Sequence, residues 1–133
     1  MTRSPDATVL LVDDDDVWRA ALASWVEREG YRVLGLSRGD RVASTIDCQH
    51  VDIVILDLHM PGLDGLDVLA EVRQRWPHLP VIVMTAFGGP RTLDVARQRG
   101  ATGYLEKPFH LTDLLGQLHR VRTPGEGRRG SCR

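Results

Sequence analysis

Cysteine is nearly absent: among 133 residues only Cys48 and Cys132 carry a thiol. Two thiols so far apart make no disulfide framework, which points to a reducing, cytoplasmic compartment. No apolar run approaches the ~20 residues of a membrane span. The stretch from Met1 to Ala7 has no apolar signal core, so neither insertion nor secretion is expected. A charge of one sign is missing too, since 17 Lys and Arg face 18 Asp and Glu. That balance excludes a general electrostatic pull toward nucleic acid or an anionic membrane. Basic residues do gather late, at Arg120, Arg122, Arg128, Arg129 and Arg133, in a Gly- and Arg-rich end that reads as a solvated tail. No G-x-G-x-x-G or G-x-x-x-x-G-K-[ST] follows the first apolar run, which argues against a nucleotide-binding module. His50, His59, His78, His110 and His119 form no pair with zinc-ligand spacing.

What is present is the balance of a soluble globular chain, 42% hydrophobic and 26% charged. The length suits one domain, expected over 8–122, with an N-terminal tail at 1–7 and a flexible tail or linker stub at 123–133. Apolar runs recur at Val9–Val12, Val33–Leu36, Ile53–Leu56, Val81–Met84 and, more weakly, Gly103–Leu105. Three are unbroken, as when helices cover both faces of a parallel sheet. Helical spacing separates them. Val17, Trp18, Ala21, Leu22, Trp25 and Val26 recur in pairs before Gly30, a natural stop. Further helices are expected from Arg38 to Ile46, from Leu66 to Pro77, from Pro90 to Arg99 and from Leu111 to Val121. The result is an α/β chain of five strand-then-helix units, a doubly wound five-stranded parallel sheet.

Such a sheet binds ligands beyond the C-terminal ends of its strands. At those ends stand Asp13-Asp14-Asp15-Asp16, Asp57, Thr85-Ala86 and Glu106-Lys107-Pro108. Each has a plain reading: Asp15 or Asp16 can cap a helix, Thr85 can be an ordinary β-branched strand residue, and Tyr104 can be edge packing. Four consecutive carboxylates nevertheless exceed what a cap requires. Several packed beside Asp57 would raise one another's pKa unless a cation neutralises them. A hard dication with oxygen ligands fits, Mg²⁺ or in its place Mn²⁺. A carboxylate nucleophile, a metal, an ammonium and a hydroxyl together meet the needs of phosphoryl transfer.

Four blocks carry a family resemblance: Val12-Asp13-Asp14, Leu56-Asp57-Leu58-His59-Met60-Pro61-Gly62-Leu63-Asp64-Gly65, Met84-Thr85-Ala86 and Tyr104-Leu105-Glu106-Lys107-Pro108-Phe109. In order and spacing they resemble the receiver domain of bacterial two-component response regulators, of the chemotaxis-regulator kind, from about residue 8 to residue 121. The resemblance implies the flavodoxin-like strand order 2-1-3-4-5, an order the family shares with flavodoxin. It implies Asp57 as phosphoacceptor, and Asp13, Asp14, Asp57 and the backbone carbonyl of His59 around the metal. Lys107 would be the phosphoryl-binding cation, Thr85 the switch hydroxyl, Tyr104 the aromatic that changes rotamer, and Ala86 the small residue keeping the approach open. Lys107-Pro108 is similar to the family's cis peptide. The His59 imidazole either reaches the site or points to solvent.

The partner implied is a sensor histidine kinase or phosphotransfer protein in a phosphorelay. A homodimer through the fourth helix, fifth strand and fifth helix is a second expectation. Direct nucleic-acid or membrane binding is not expected, and the only chemistry expected is transfer to, and loss from, Asp57 itself. A small phosphatase with a transient Asp57 nucleophile usually adds an Asp-x-Asp acid/base and an enclosing cap, but position 59 is His and no cap insertion is present. A receiver that works without phosphorylation would not need the complete acidic, Thr and Lys set.

Overall fold

Residues 7–60, 63–86 and 88–121 are described by a computed structural model of the chain. Five strands, β1 (Thr8–Val12), β2 (Arg32–Leu36), β3 (Ile53–Asp57), β4 (Val81–Thr85) and β5 (Gly103–Glu106), form one parallel sheet. Its order is β2-β1-β3-β4-β5, the order expected. β1, β3 and β4 are buried on both faces, save for half-exposed Thr8, which explains their unbroken apolar sequences. Alternation splits them between two cores. Leu10, Val12, Val54, Leu56, Val81 and Val83 pack with residues of the second, third and fourth helices. Val9, Leu11, Ile53, Ile55, Ile82 and Met84 pack against the first and fifth.

The helices are α1 (Asp16–Arg28), α2 (Val42–Cys48), α3 (Gly65–Arg75), α4 (Pro90–Gln98) and α5 (Leu111–Val121). α1 opens on Asp15, whose carboxylate accepts the Val17 and Trp18 N–H groups, and ends before Gly30 at φ 99°. Two expectations need correction. The paired apolar stripe of α1 is half as wide as its sequence suggests: Leu22 and Val26 are buried and Trp18 partly so, whereas Ala21 is exposed, Val17 is 80% exposed and Trp25 41%. One row at i, i+4 suffices to cover the sheet, and the neighbouring row faces solvent. The second helix does not run from Arg38 to Ile46. A single 3₁₀ turn at Gly39–Arg41 leads into α2; Arg38 before it is extended, and its guanidinium pairs with Asp40 at 2.7 Å.

β3 and β4 each run one residue further than their apolar runs, so Asp57 and Thr85 are the last residues of their strands. An unforeseen antiparallel pair, His59–Met60 with Leu63–Asp64, follows β3. Cys48 is exposed and free; Cys132 and the expected tail at 123–133 lie outside the described residues, as do positions 1–6 of the N-terminal one. Ala7 is buried, and its carbonyl accepts from Arg32 N. No helix among the described residues is long and apolar enough to cross a membrane.

Candidate functional site

The same alternation sorts the rim residues. Asp13, Asp57 and Lys107 stand two positions beyond Leu11, Ile55 and Leu105, in the phase of the α1/α5 core. Thr85 and Tyr104 follow the opposite phase, with Val81 and Val83. Asp13 is fully buried and held on every side. Its N–H donates to Leu36 O at 3.0 Å, its Oδ1 accepts Asp15 N at 2.9 Å and its carbonyl accepts Arg19 Nη1 at 2.7 Å. Its Oδ2 accepts Lys107 Nζ at 2.8 Å. The same ammonium lies 3.4 Å from Asp57 Oδ2. Asp57 is 4% exposed, and its Oδ1 accepts the His59 N–H at 3.0 Å.

Asp13, Asp14 and Asp57 offer carboxylate oxygens that all lie within 4.8 Å of one another. Of the three carboxylates the two buried ones share one ammonium, so the cluster keeps a negative charge that a hard cation would neutralise. The donor set therefore fits a dication with oxygen ligands. The outer carboxylates have other duties: Asp15 caps α1, and Asp16 pairs with Arg19 at 2.8 Å.

Burial is the main reason that the Asp57 carboxyl is pushed above its usual range; the His59 N–H and Lys107 pull it down, and Asp13 adds repulsion. Desolvation thus does more than the mutual repulsion expected from sequence. For Lys107, burial alone would lower the pKa, but the hydrogen bond to Asp13 and the charges of Asp57 and Asp13 outweigh it and the pKa is raised. The ammonium is a firm cation here.

Thr85 is buried, and its carbonyl accepts the Lys107 N–H at 2.8 Å, tying the β5 end to β4. Lys107-Pro108 is cis, as the resemblance implied. Ala86 and His59 are exposed. Tyr104 is partly buried on the α4 side, and its hydroxyl is enclosed with no hydrogen-bond partner among the described residues. Burial raises its pKa, the nearby Gly89 N–H opposes this without meeting hydrogen-bond geometry, and Glu106 adds to it.

A match to the response regulator receiver domain covers residues 9–119. The chain belongs to that family. This receiver domain is 37% identical over 114 residues to the response regulator FleR of Pseudomonas aeruginosa, covering 86% of the chain and 24% of FleR. It thus spans about a quarter of that relative's length. The receiver domain of NtrC4, solved as a beryllofluoride-activated dimer, superposes with a TM-score of 0.81 at 29% identity, over 86% of this chain and 94% of the other. TrrA from Thermotoga maritima, solved with Mg²⁺–BeF, gives 0.79 at 29%, over 86% and 98%.

Sequence reasoning missed four supports of this receiver's site. Arg19 holds the Asp13 carbonyl, and Trp18 lies beside Lys107. Gly65 lets α3 approach Leu58, where a Cβ would stand 2.5 Å from the Leu58 Cα. Gly88 lies against the Tyr104 hydroxyl and Glu106. Gly65 closes the Leu56–Gly65 stretch that carries the family resemblance, whereas the spacing of Trp18 reads as core.

Proposed function

We propose that Asp57 accepts a phosphoryl group from the phosphohistidine of a sensor histidine kinase or phosphotransfer protein. A carboxylate oxygen of Asp57 attacks phosphorus as the P–N bond breaks, and the imidazole nitrogen leaves with that electron pair. The observation that carries the reading is the Lys107 ammonium shared between the buried carboxylates of Asp13 and Asp57. Lys107 is thereby within reach of a phosphoryl oxygen on Asp57, and the Thr85 hydroxyl is the proposed second donor. Asp13, Asp14, Asp57 and the His59 carbonyl would hold Mg²⁺ or Mn²⁺, which when bound neutralises carboxylate and phosphoryl oxygens together.

Thr85 and Tyr104 carry the switch, with Ala86 keeping the approach to Asp57 open. The enclosed Tyr104 hydroxyl, without a hydrogen-bond partner among the described residues, supports this, because a buried donor without a partner favours rearrangement. The phosphorylated domain, over 8–122, acts in the cytoplasm as a signalling switch and not on an external substrate. Its α4–β5–α5 face pairs with a second copy, by analogy with the NtrC4 receiver dimer; this chain itself meets neither nucleic acid nor membrane. The test is intact mass after incubation with Mg²⁺ and acetyl phosphate. One phosphoryl is expected on the wild type and none on Asp57→Asn. A folded wild type that gains no phosphoryl, or steady turnover of other phosphoesters, would overturn the reading.

A further inference from the structure

Lys107 Nζ has a third neighbour besides the two carboxylates: the face of Trp18, whose ring centroid is 5.2 Å away. The same indole makes a T-shaped contact with Phe109, centroid to centroid 5.4 Å at 81°. Trp18 therefore joins the first turn of α1 to the loop that carries Lys107. Packing alone does not recommend tryptophan here. Its Nε1 is enclosed with no hydrogen-bond partner among the described residues, a cost that Leu or Met would not incur.

We propose that Trp18 is a positioning residue for Lys107, giving the ammonium a neutral face on which it moves from the Asp13 carboxylate to a phosphoryl group on Asp57. This rests on Asp57 being the phosphoacceptor. The carboxylate contacts of Lys107 are directional and must be exchanged when Asp57 changes from carboxylate to acyl phosphate. Attraction to a ring face within about 6 Å depends little on direction, so it persists while the oxygen partners change. Phe109, two residues beyond Lys107, packs on the same indole, and the half-buried ammonium has no need to return to water between partners.

The test compares phosphorylation rates of the full chain by acetyl phosphate with Mg²⁺. Trp18→Leu should slow uptake by about fivefold, whereas Trp18→Phe, which keeps a π face, should recover most of the rate. In a Lys107→Ala background Trp18→Leu should change nothing further. With Trp25→Phe and Trp76→Phe leaving a single indole, Trp18 emission should shift when beryllofluoride and Mg²⁺ are added, and the shift should vanish with Lys107→Ala. An unchanged rate, a Phe variant no better than Leu, equal effects with and without Lys107, or an emission that stays put would each overturn the proposal. A wild type that takes up no phosphoryl would remove the parent reading and this one with it; the outcomes above remove only this one.

Discussion

The two halves of the rim are built to different standards. On the β1/β3 side Asp13 has a partner for its N–H, its carbonyl and both carboxylate oxygens, and the adjoining helices α1 and α3 are capped by Asp15 and Asp64. On the β4/β5 side α4 begins at Gly89 with no side-chain cap and buries only Ala96 completely. The Tyr104 hydroxyl beside it has no partner among the described residues. Even α4 is uneven along its length. Its C-terminal end is clamped, since Arg73 donates to Gly100 O at 2.7 Å and to the Trp76 and Pro77 carbonyls, and Arg99 pairs with Asp67 at 3.1 Å. The lesson is a division of labour: a rigid anion holder beside a helix free to respond at its first turn.

The sharpest way to break this comparison is one substitution made on both sides. Gly65→Ala on the rigid side would drive a Cβ into the Leu58 backbone, 2.5 Å from Cα and 2.7 Å from the carbonyl oxygen. Backbone cannot yield as a side-chain tip does, so α3 must shift away from the segment that follows Asp57. The expected loss is about 3 kcal/mol, read as a fall in Tm of roughly 10 °C. A melt within a degree of wild type would mean that this side is as compliant as the other.

A smaller effect is expected from Asp57 itself, and its sign tests whether rigidity here costs stability. Because burial raises its carboxyl above the usual value, native Asp57 binds its proton more tightly than the unfolded chain does. Stability therefore falls as pH rises through the window from the unfolded carboxylate value to the higher native one, and the ionised form carries that penalty at neutral pH. Asp57→Asn keeps an acceptor for the His59 N–H and removes the charge. Without added Mg²⁺ at pH 7 it should melt a few degrees above wild type. Lowering the pH through the carboxylate range should close the gap, and saturating Mg²⁺, which stabilises the wild type more than a variant short of one carboxylate, should narrow it. Equal melting at pH 7 would show that Lys107 already offsets the burial.

Much of the rigid side was legible in the sequence, because its determinants are local. Unbroken runs such as Ile53–Leu56 announce buried strands, and a carboxylate ending such a run is conspicuous. The sheet order and the meeting of Asp13, Asp57 and Lys107 came through the family resemblance, whose blocks are short and rigidly spaced. What sequence misjudged depends on which neighbours a face meets. Val17 and Trp25 have the spacing of core residues, yet the sheet leaves room for only one of the two apolar rows of α1. The second helix was expected from Arg38, where few apolar residues mark a boundary, yet Arg38 is extended and a 3₁₀ turn precedes the helix. The Trp18–Lys107 contact joins distant segments, and no periodicity encodes it.

The smallest effect is expected on the compliant side, from Gly89→Ala. Its backbone, at φ 172°, is extended and open to any residue, and a Cβ there would meet no atom of the described residues within 4 Å. Two modest terms oppose each other. Alanine restricts the unfolded chain, which stabilises by about 0.4–1 kcal/mol, but it is a poorer N-cap residue than glycine. Tm should therefore stay within about 2 °C of wild type, against the roughly 10 °C expected for the same change at Gly65. Hydrogen exchange separates stiffness from stability: the first-turn amides of α4 should exchange more slowly in Gly89→Ala, while those near Gly100, already clamped by Arg73, should not change. Slowing at both ends would mean that α4 moves as one rigid body and that its two ends do not differ in the way their contacts suggest.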